Sequence, residues 1–454
     1  MTNSTTDITT VDIRARAAGF VRASASDFHG RRVIVVDAQG EDLAGALSPS
    51  DGHTIAAAAR YALEQRLPLL IRLASSGANL EMGVAALDGW GGAAREMTRC
   101  SGIVPMIVIV TGPTVSGPAL MLGLADIVIM VDGAYAFVSG PAMVEQFTGV
   151  PVDTDELGGA AVHGRTSGVA TMIAADLDEA EALARDLLAH LPDHTDEAAP
   201  GHPCLDPVDR RTPEAYEVLP ESTNGSYDCR DILRSIVDDG DLLELHAGWA
   251  GNLVTCFAAI GGRSIGIVAN QPQTIAGTLD ITASRKGARF VAMCDAFNLP
   301  LLTLVDTSGF YPGKDLEWRG MIRYGAQMAF AYARASVPRV NVTTRKSYGG
   351  AYIVMDSKRM GNDMALAWPS AEIAVMGAKG AVEILHRGST PEERAELEAH
   401  YEERLLNPYI AAERGTIDAV IDPADTRRQV AAAFDMLAGK RERLPRRRHD
   451  NTPL

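Results

Sequence analysis

Residues 340–360 combine residue types that can stabilise a negative charge through the backbone alone. A β-branched run at 340–344 predicts a short buried strand, and the Gly349-Gly350 pair ends it. The apolar run at 351–355 predicts the first turns of a helix. A glycine turn between a strand and a helix leaves backbone N–H groups directed at one point, where two of them can hold a developing oxyanion. The alternative, a tight turn without a chemical role, stays open from this segment alone.

The same layout occurs twice in the chain. Four short segments recur at one offset (262 − 30 and 300 − 68 both give 232), namely residues 30–33 and 262–265, 44–47 and 276–279, 68–71 and 300–303, and 76–77 and 308–309. Further on, segment 112–119 falls opposite 345–351 after a shift of a few residues, as one loop insertion would produce. Matches at one offset over this length predict two copies of one α/β domain.

The elements that must position these turns alternate between buried strands and helices, which predicts parallel sheets. Ligand loops of parallel sheets lie at the carboxyl ends of the strands. Residues 67–73 and 104–110 are two predicted strands, and the turn at 76–78 and the loop at 112–117 follow them. We predict an N-terminal tail at residues 1–27, a first domain at 28–221 and a second at 222–454, with the proline-rich segment 200–227 as connector.

Composition argues against several classes of function. The 454 residues are 46% hydrophobic and 22% charged, which allows a core of ordinary size in each domain. The net charge of −16 argues against a nucleic acid or an anionic membrane as the main partner. Five separated cysteines, with no CxxC pair and no apolar N-terminal segment, predict reduced thiols in the cytoplasm. Pro192 breaks the helix that His190 and His194 would need to share a metal, and no metal is expected.

Several longer stretches match one family. They are residues 266–272, 286–291, 294–298, 349–355 and 367–381 in the second copy, and 140–141 and 156–160 in the first. With these stretches the chain resembles, over residues 28–437, the carboxyltransferase (beta) subunit of biotin-dependent acyl-CoA carboxylases of the propionyl-CoA and acetyl-CoA carboxylase type.

This resemblance implies an assembly as well as a fold. The fold is α/β, with two tandem domains of the ClpP/crotonase superfamily. The implied assembly is a homohexamer, in which each active site lies between the N-terminal domain of one subunit and the C-terminal domain of another. The implied partner is a separate biotin carboxylase and biotin carboxyl carrier (alpha) subunit.

The resemblance also implies transfer of CO₂ from carboxybiotin to the α-carbon of an acyl-CoA, giving a malonyl-type product. Loss of CO₂ leaves a ureido anion that can take the α-proton, so the protein needs two oxyanion holes and a dry pocket more than a general base. The residues matching the hole for the biotin oxygen are Gly349, Gly350 and Ala351, and those matching the hole for the thioester carbonyl are Gly77 and Ala78. The matches to other substrate- or cofactor-binding positions are Ile353, Tyr352, Phe310, Tyr311, Gly112, Gly117 and Ser76.

The chain departs from the family pattern mainly on the thioester side. The departures are Ala74, Ser76, Asn79, Ser116 and Pro118 there, and Ser308 on the biotin side. Pro118 has no N–H to donate. Ile353 resembles members that accept acetyl or a broad range of acyl groups. Three alternatives stay open: a biotin-dependent decarboxylase or transcarboxylase acting on malonyl- or methylmalonyl-CoA, a non-catalytic scaffold subunit, and a crotonase that acts without biotin.

Overall fold

The computed structural model describes residues 11–13, 19–222, 225–440, 442 and 444–453. The chain divides into two compact units, Met1–Ala198 and Ala199–Leu454. Each unit contains one eight-stranded mixed sheet, parallel at its centre, with helices between the strands. The predicted α/β class with two tandem domains is thereby confirmed. In the described part of the chain, no helix has the length and apolar character needed to cross a bilayer.

The first sheet runs in the order β1-β2-β3-β4-β5-β6-β8, and β7 pairs with β5. Its strands are β1 (Val11–Asp12), β2 (Arg22–Phe28), β3 (Arg31–Gln39), β4 (Leu69–Ser75), β5 (Met106–Val115), β6 (Ile127–Val131), β7 (Tyr135–Phe137) and β8 (Met172–Ala174). Its helices are α1 (Pro49–Gln65), α2 (Val84–Cys100), α3 (Gly117–Leu122), α4 (Pro141–Thr148), α5 (Thr154–Gly158), α6 (Ala160–Val162) and α7 (Leu177–His190).

The second sheet runs in the order β16-β14-β13-β12-β11-β10-β9, and β15 pairs with β13. A short helix α8 (Glu214–Glu217) and helix α9 (Cys229–Ile236) precede it. Its strands are β9 (Leu243–Leu245), β10 (Leu253–Ile260), β11 (Arg263–Asn270), β12 (Leu301–Thr307), β13 (Arg339–Tyr348), β14 (Met364–Ala367), β15 (Glu372–Ala374) and β16 (Ala419–Val420). Its other helices are α10 (Ile281–Ala296), α11 (Lys314–Trp318), α12 (Met321–Arg334), α13 (Gly349–Val354), α14 (Ala378–Leu385), α15 (Pro391–Tyr401), α16 (Pro408–Glu413) and α17 (Thr426–Leu437).

Helices α1 and α2 pack closely enough to require glycine at their crossing. A Cβ placed on Gly52 would lie 2.2 Å from the carbonyl carbon of Gly89, and one on Gly89 would lie 3.0 Å from the Cα of Pro49. Helix α1 begins at Pro49 because Ser48 and Asp51 form a reciprocal capping box. The two helices therefore have a fixed relative position beside the sheet.

The duplication is visible in the backbone conformations of the two units. Both contain a run of three left-handed residues before the first crossover helix: Leu43, Ala44 and Gly45 in the first unit and Ile275, Ala276 and Gly277 in the second. A Cβ placed on either glycine would lie 2.4 Å from a carbonyl oxygen of the next strand. A residue with a Cβ would clash there, so both units require glycine at this position.

The compact units have different limits from the predicted domains. Residues 22–27 of the predicted tail lie in β2, which pairs antiparallel with β3 along its whole length and has alternating buried positions. Residues 199–221, predicted in the first domain, group with the second unit. There the His202 N–H donates to the Gly262 carbonyl at 2.7 Å, and the Thr212 N–H donates to the Ala424 carbonyl at 2.8 Å. The prolines prevent long regular structure in this segment. Its backbone instead forms hydrogen bonds with other parts of the second unit.

Ser116 is held in a conformation that favours glycine. Its φ of 62° and ψ of −127° lie in the left-handed half of the map, and Gly349 occupies the equivalent turn of the second unit with φ of 60°. A non-glycine residue there costs roughly 1–3 kcal/mol. The first unit therefore stores strain at the end of β5.

We expect Ser116→Gly to raise the free energy of unfolding by about 1 kcal/mol, because relief of this strain exceeds the extra freedom of glycine in the unfolded chain. Ser116→Ala is the matched control, since it keeps the Cβ. The measurement is chemical denaturation of the full chain. A glycine variant no more stable than the alanine variant would contradict the strain.

Lys286 is a buried lysine on α10, 3% exposed, whose ammonium donates to the carbonyl oxygens of His246 and Trp249 at 2.9 Å each. Burial lowers its pKa to about 8. In the unfolded chain the group titrates near its ordinary value, so between pH 8 and 10 the unfolded state binds more protons than the folded state. The stability contributed by Lys286 consequently rises with pH across that window.

We expect the wild type to gain up to about 3 kcal/mol of stability relative to Lys286→Met between pH 7.5 and 10. The variant loses two hydrogen bonds at every pH, so only the change with pH is diagnostic. Denaturation curves at both pH values measure it. A difference that stays constant would show that Lys286 titrates normally.

Candidate active site

The loop after β12 and the turn after β13 lie side by side in the second unit. Strand pairing continues to Thr307 opposite Ser347, at the very end of both strands. A Cβ placed on Gly350 would lie 3.2 Å from the Phe310 ring, and one on Gly349 would lie 3.2 Å from the Val375 carbonyl oxygen. The predicted residues Gly349, Gly350 and Phe310 therefore meet at one place, and a Cβ at either glycine would be in tight contact with its neighbour.

Leu279 clamps this loop on both sides of Phe310. The Leu279 N–H donates to the Gly309 carbonyl at 3.0 Å, and the Tyr311 N–H donates to the Leu279 carbonyl at 2.9 Å. Because successive backbone groups of an extended chain point in opposite directions, the Phe310 N–H points away from Leu279. Gly309 turns its own N–H to Thr307 Oγ1 at 3.3 Å.

Within the described residues, the N–H groups of Phe310, Gly350 and Ala351 donate no hydrogen bond. Gly350 and Ala351 begin α13, where the first N–H groups of a helix have no intrahelical acceptor. Three backbone donors are thus available where the loop meets the turn. Phe310 was predicted as a wall residue, and its N–H was missed. The offset of 232 could have revealed it, since it pairs Ala78 with Phe310.

A buried ion pair holds the ends of β12 and β13 together. Arg345 Nε donates to Asp306 Oδ2 at 2.9 Å, and the Lys346 N–H donates to Asp306 Oδ1 at 3.1 Å. Burial raises the pKa of Asp306, while the Arg345 guanidinium opposes that shift. Removing one partner of such a pair leaves an uncompensated buried charge. The pair fixes the loop relative to the turn.

Tyr348 and Glu372 secure the turn from its other side. The Tyr348 hydroxyl donates to a Glu372 carboxylate oxygen, which joins the last residue of β13 to β15. Burial, followed by this hydrogen bond, raises the pKa of Tyr348. The hydroxyl consequently stays protonated near neutral pH and remains a donor. Gly349 follows directly with its positive φ, so its position depends on this contact.

The first unit has the same two-sided backbone clamp, formed here by Leu47. The Leu47 N–H donates to the Gly77 carbonyl at 2.8 Å, and the Asn79 N–H donates to the Leu47 carbonyl at 2.9 Å, so the N–H of Ala78 points away. The Gly77 N–H donates to Ser75 Oγ at 3.2 Å. Of the two predicted donors Gly77 and Ala78, only the Ala78 N–H has no partner among the described residues.

The adjoining turn of the first unit offers one donor where the second offers two. The Ser116 N–H donates to the Phe137 carbonyl at 2.9 Å, and Pro118 has no N–H. In the part of the chain described, only the Gly117 N–H of these three positions stays without an acceptor. A Cβ on Gly77 would lie 3.7 Å from that of Ser116, which places loop and turn next to each other.

The other predicted residues lie around these donors. Tyr311 and Ile353 are 44% and 38% exposed, and Tyr352 follows Ala351 in α13. Ser76 Oγ donates to the Leu43 carbonyl at 2.8 Å, so its side chain secures the loop. Gly112 lies within β5, where a Cβ would sit 3.3 Å from the Ala74 side chain.

Trp90 of α2, which sequence patterns did not reveal, lies directly against Gly117.

Each unit thus presents neutral backbone donors from a clamped loop and an adjacent turn. Paired N–H groups stabilise negative charge that develops on a carbonyl or ureido oxygen, and do so best where water is excluded. Among the residues described, no three His, Cys, Asp or Glu side chains are grouped as metal ligands would be. The geometry of each unit can therefore stabilise negative charge on one substrate oxygen.

Comparison with known proteins identifies the family. The family model described as "Carboxyl transferase domain" matches residues 13–452. The chain is 42% identical over 459 residues to the propionyl-CoA carboxylase beta chain of Roseobacter denitrificans, covering 100% of this chain and 89% of that one. It is 44% identical over 415 residues to the methylmalonyl-CoA carboxyltransferase 12S subunit of Propionibacterium freudenreichii subsp. shermanii, covering 89% and 79%.

Among solved structures, the chain is similar to the transcarboxylase 12S hexamer with hydrolysed methylmalonyl-coenzyme A bound. The TM-score is 0.93 at 41% identity, and the match covers 96% of this chain and 85% of that one. The resemblance stated from sequence is confirmed over almost the whole chain. The chain therefore belongs to the carboxyl transferase family, as a biotin-dependent acyl-CoA carboxyltransferase.

Proposed function

We propose that the chain is the carboxyltransferase subunit of an acyl-CoA carboxylase, with the thioester held by the first unit and the biotin group, carried on a separate protein, by the second. The observation that carries this proposal is the pair of donor sets, each formed by a clamped loop and a neighbouring turn. The hexamer named for transcarboxylase 12S supports a homohexameric assembly. The substrate class is a short acyl-CoA.

The residues of the second unit fit a ureido group. Gly349 and Gly350 leave a cradle that any Cβ would partly fill, and three N–H donors open onto it. When bound, carboxybiotin supplies the CO₂ that is transferred. Gly350 and Phe310 hold its ureido oxygen through their N–H groups, and Ala351 adds a third donor. The Phe310 ring covers one side of this cradle, and exclusion of water there strengthens these hydrogen bonds.

The residues of the first unit hold the thioester carbonyl. The Ala78 and Gly117 N–H groups donate to its oxygen and stabilise the charge that develops as the α-carbon becomes nucleophilic. Gly77 acts through its conformation, since its φ of 118° and its hydrogen bond to Ser75 direct the next N–H outward. Ile353, linked from the sequence to the choice of acyl chain, lies on α13 of the second unit.

The function is tested by mixing the purified chain with malonyl-CoA or methylmalonyl-CoA and free biotin. We expect loss of CO₂ from the thioester that depends on biotin, because a carboxyltransferase catalyses exchange from either side. Chromatography of the thioesters measures it. Turnover that is equally fast without biotin would point instead to a crotonase acting on the thioester alone, and no turnover at all would favour a scaffold subunit.

We expect Gly350→Pro to reduce this exchange at least about 100-fold in kcat, because it removes a donor to the ureido oxygen. The thermal midpoint of the variant serves as the folding check. Exchange at the wild-type rate by the folded variant would exclude the Gly350 N–H from the reaction.

We expect Ala351→Pro to cost less in kcat than Gly350→Pro, because Ala351 supplies only the third donor and Gly350 and Phe310 still hold the ureido oxygen. It also replaces an N–H by proline in the same turn, but Pro118 occupies the equivalent position of the first unit, so the backbone tolerates it. Equal losses in the two proline variants would mean that disruption of the turn, and not a specific donor, explains both.

A further inference from the structure

Trp90 projects from α2 onto the glycine that opens α3. A Cβ placed on Gly117 would lie 2.3 Å from Cε2, 2.6 Å from Nε1 and 2.7 Å from Cδ2 of the indole. The ring is therefore in contact with Gly117 itself, the residue whose N–H is assigned to the thioester oxygen. Trp90 is half-buried against the apolar core of the first unit, and its Nε1, on the edge that meets Gly117, is buried without a hydrogen-bond partner among the described residues.

The backbone that carries Trp90 is held in place by its neighbours. Its neighbour in the chain, Gly89, lies at the closest approach of α1 and α2, where a Cβ on Gly52 would meet Gly89 at 2.2 Å. The capping box at Ser48 fixes the start of α1 beside it. The backbone that carries the indole is thus fixed by close helix packing, so the ring can make room for a ligand only by changing its side-chain torsion angles.

The second unit fills the corresponding place in a different way. There the ring of Phe310, in the loop itself, lies 3.2 Å from a Cβ placed on Gly350. In the first unit the loop carries Ala78 at that position, and the aromatic surface beside the turn comes from a helix. In each unit one aromatic ring therefore packs beside the turn that carries the donors. In the first unit this ring is Trp90, which packs against Gly117.

We propose that Trp90 is a specificity-determining residue, whose indole bounds the acyl end of the thioester site and restricts the enzyme to short acyl groups such as acetyl and propionyl. This role rests on the assignment of the first unit to the thioester. An acyl group whose carbonyl oxygen accepts from the Gly117 N–H lies beside the indole. Each added methylene that meets a rigid wall is disfavoured by roughly 10- to 200-fold.

The test compares the binding of acetyl-, propionyl- and hexanoyl-CoA to the full-length protein by isothermal titration calorimetry. The variants are Trp90→Ala, which removes the wall, and Trp90→Phe, which keeps a smaller ring. Trp318→Ala is the matched control, because that tryptophan is 75% exposed and belongs to the second unit. Thermal midpoints verify folding, and Trp90→Leu replaces the alanine variant if the latter unfolds.

We expect the affinity for hexanoyl-CoA relative to propionyl-CoA to rise at least about tenfold in Trp90→Ala, by an intermediate factor in Trp90→Phe, and not at all in Trp318→Ala. The same order should appear in the biotin-dependent exchange when malonyl-CoA is compared with a malonyl-CoA that carries a butyl group on its α-carbon. These results would support the proposal together.

A relative affinity in Trp90→Ala that stays within twofold of the wild type, while propionyl-CoA still binds, would overturn the role of Trp90 and leave the proposed function intact. If the wild type binds none of the three thioesters, the assignment of the first unit to the thioester fails, and the role of Trp90 fails with it.

Discussion

The arrangement of both sites depends on a two-sided backbone clamp. Leu47 and Leu279 each accept from one residue of a loop and donate to another, and the residue between them must turn its N–H the other way. Gly45 and Gly277 make this possible, because only glycine lets the segment before each clamp approach the neighbouring strand so closely. The donors are thereby fixed by main-chain hydrogen bonds, without a charged side chain.

The two units have the same clamp, but their turns differ in the number of backbone N–H groups that they offer as donors. The second unit keeps Gly350 and Ala351 as donors at the start of α13, whereas the first keeps Gly117 alone beside a strained Ser116. The two copies have therefore diverged in the number of backbone donors that their turns offer.

Much of the fold followed from local patterns in the sequence. The constant offset predicted two copies, and the buried β-branched runs predicted the central strands, because both signals depend on residues close in the chain. The turn at 76–78 and the loop at 112–117 were predicted to lie at one edge of the first sheet, since parallel strands bring their carboxyl ends together.

Other features depend on partners far away in the chain. The contact of Trp90 with Gly117 arises from the packing of α2 on α3, which no periodicity encodes. The engagement of the Gly77 N–H by Ser75 is a side-chain bond that competes with the expected role of the glycine. Segment 199–221 lacks any repeating pattern, so its hydrogen bonds to the second unit could not be inferred.

That segment has a consequence for the autonomy of the two halves. Arg427, fully buried on α17, donates to the carbonyl oxygens of Asp206 and Pro207 as well as to the Asp238 carboxylate. A second half that began at residue 222 would retain this guanidinium but lose two of its acceptors. The ancestral repeat and the present folding unit therefore have different limits, and the halves, although copies, are no longer interchangeable modules.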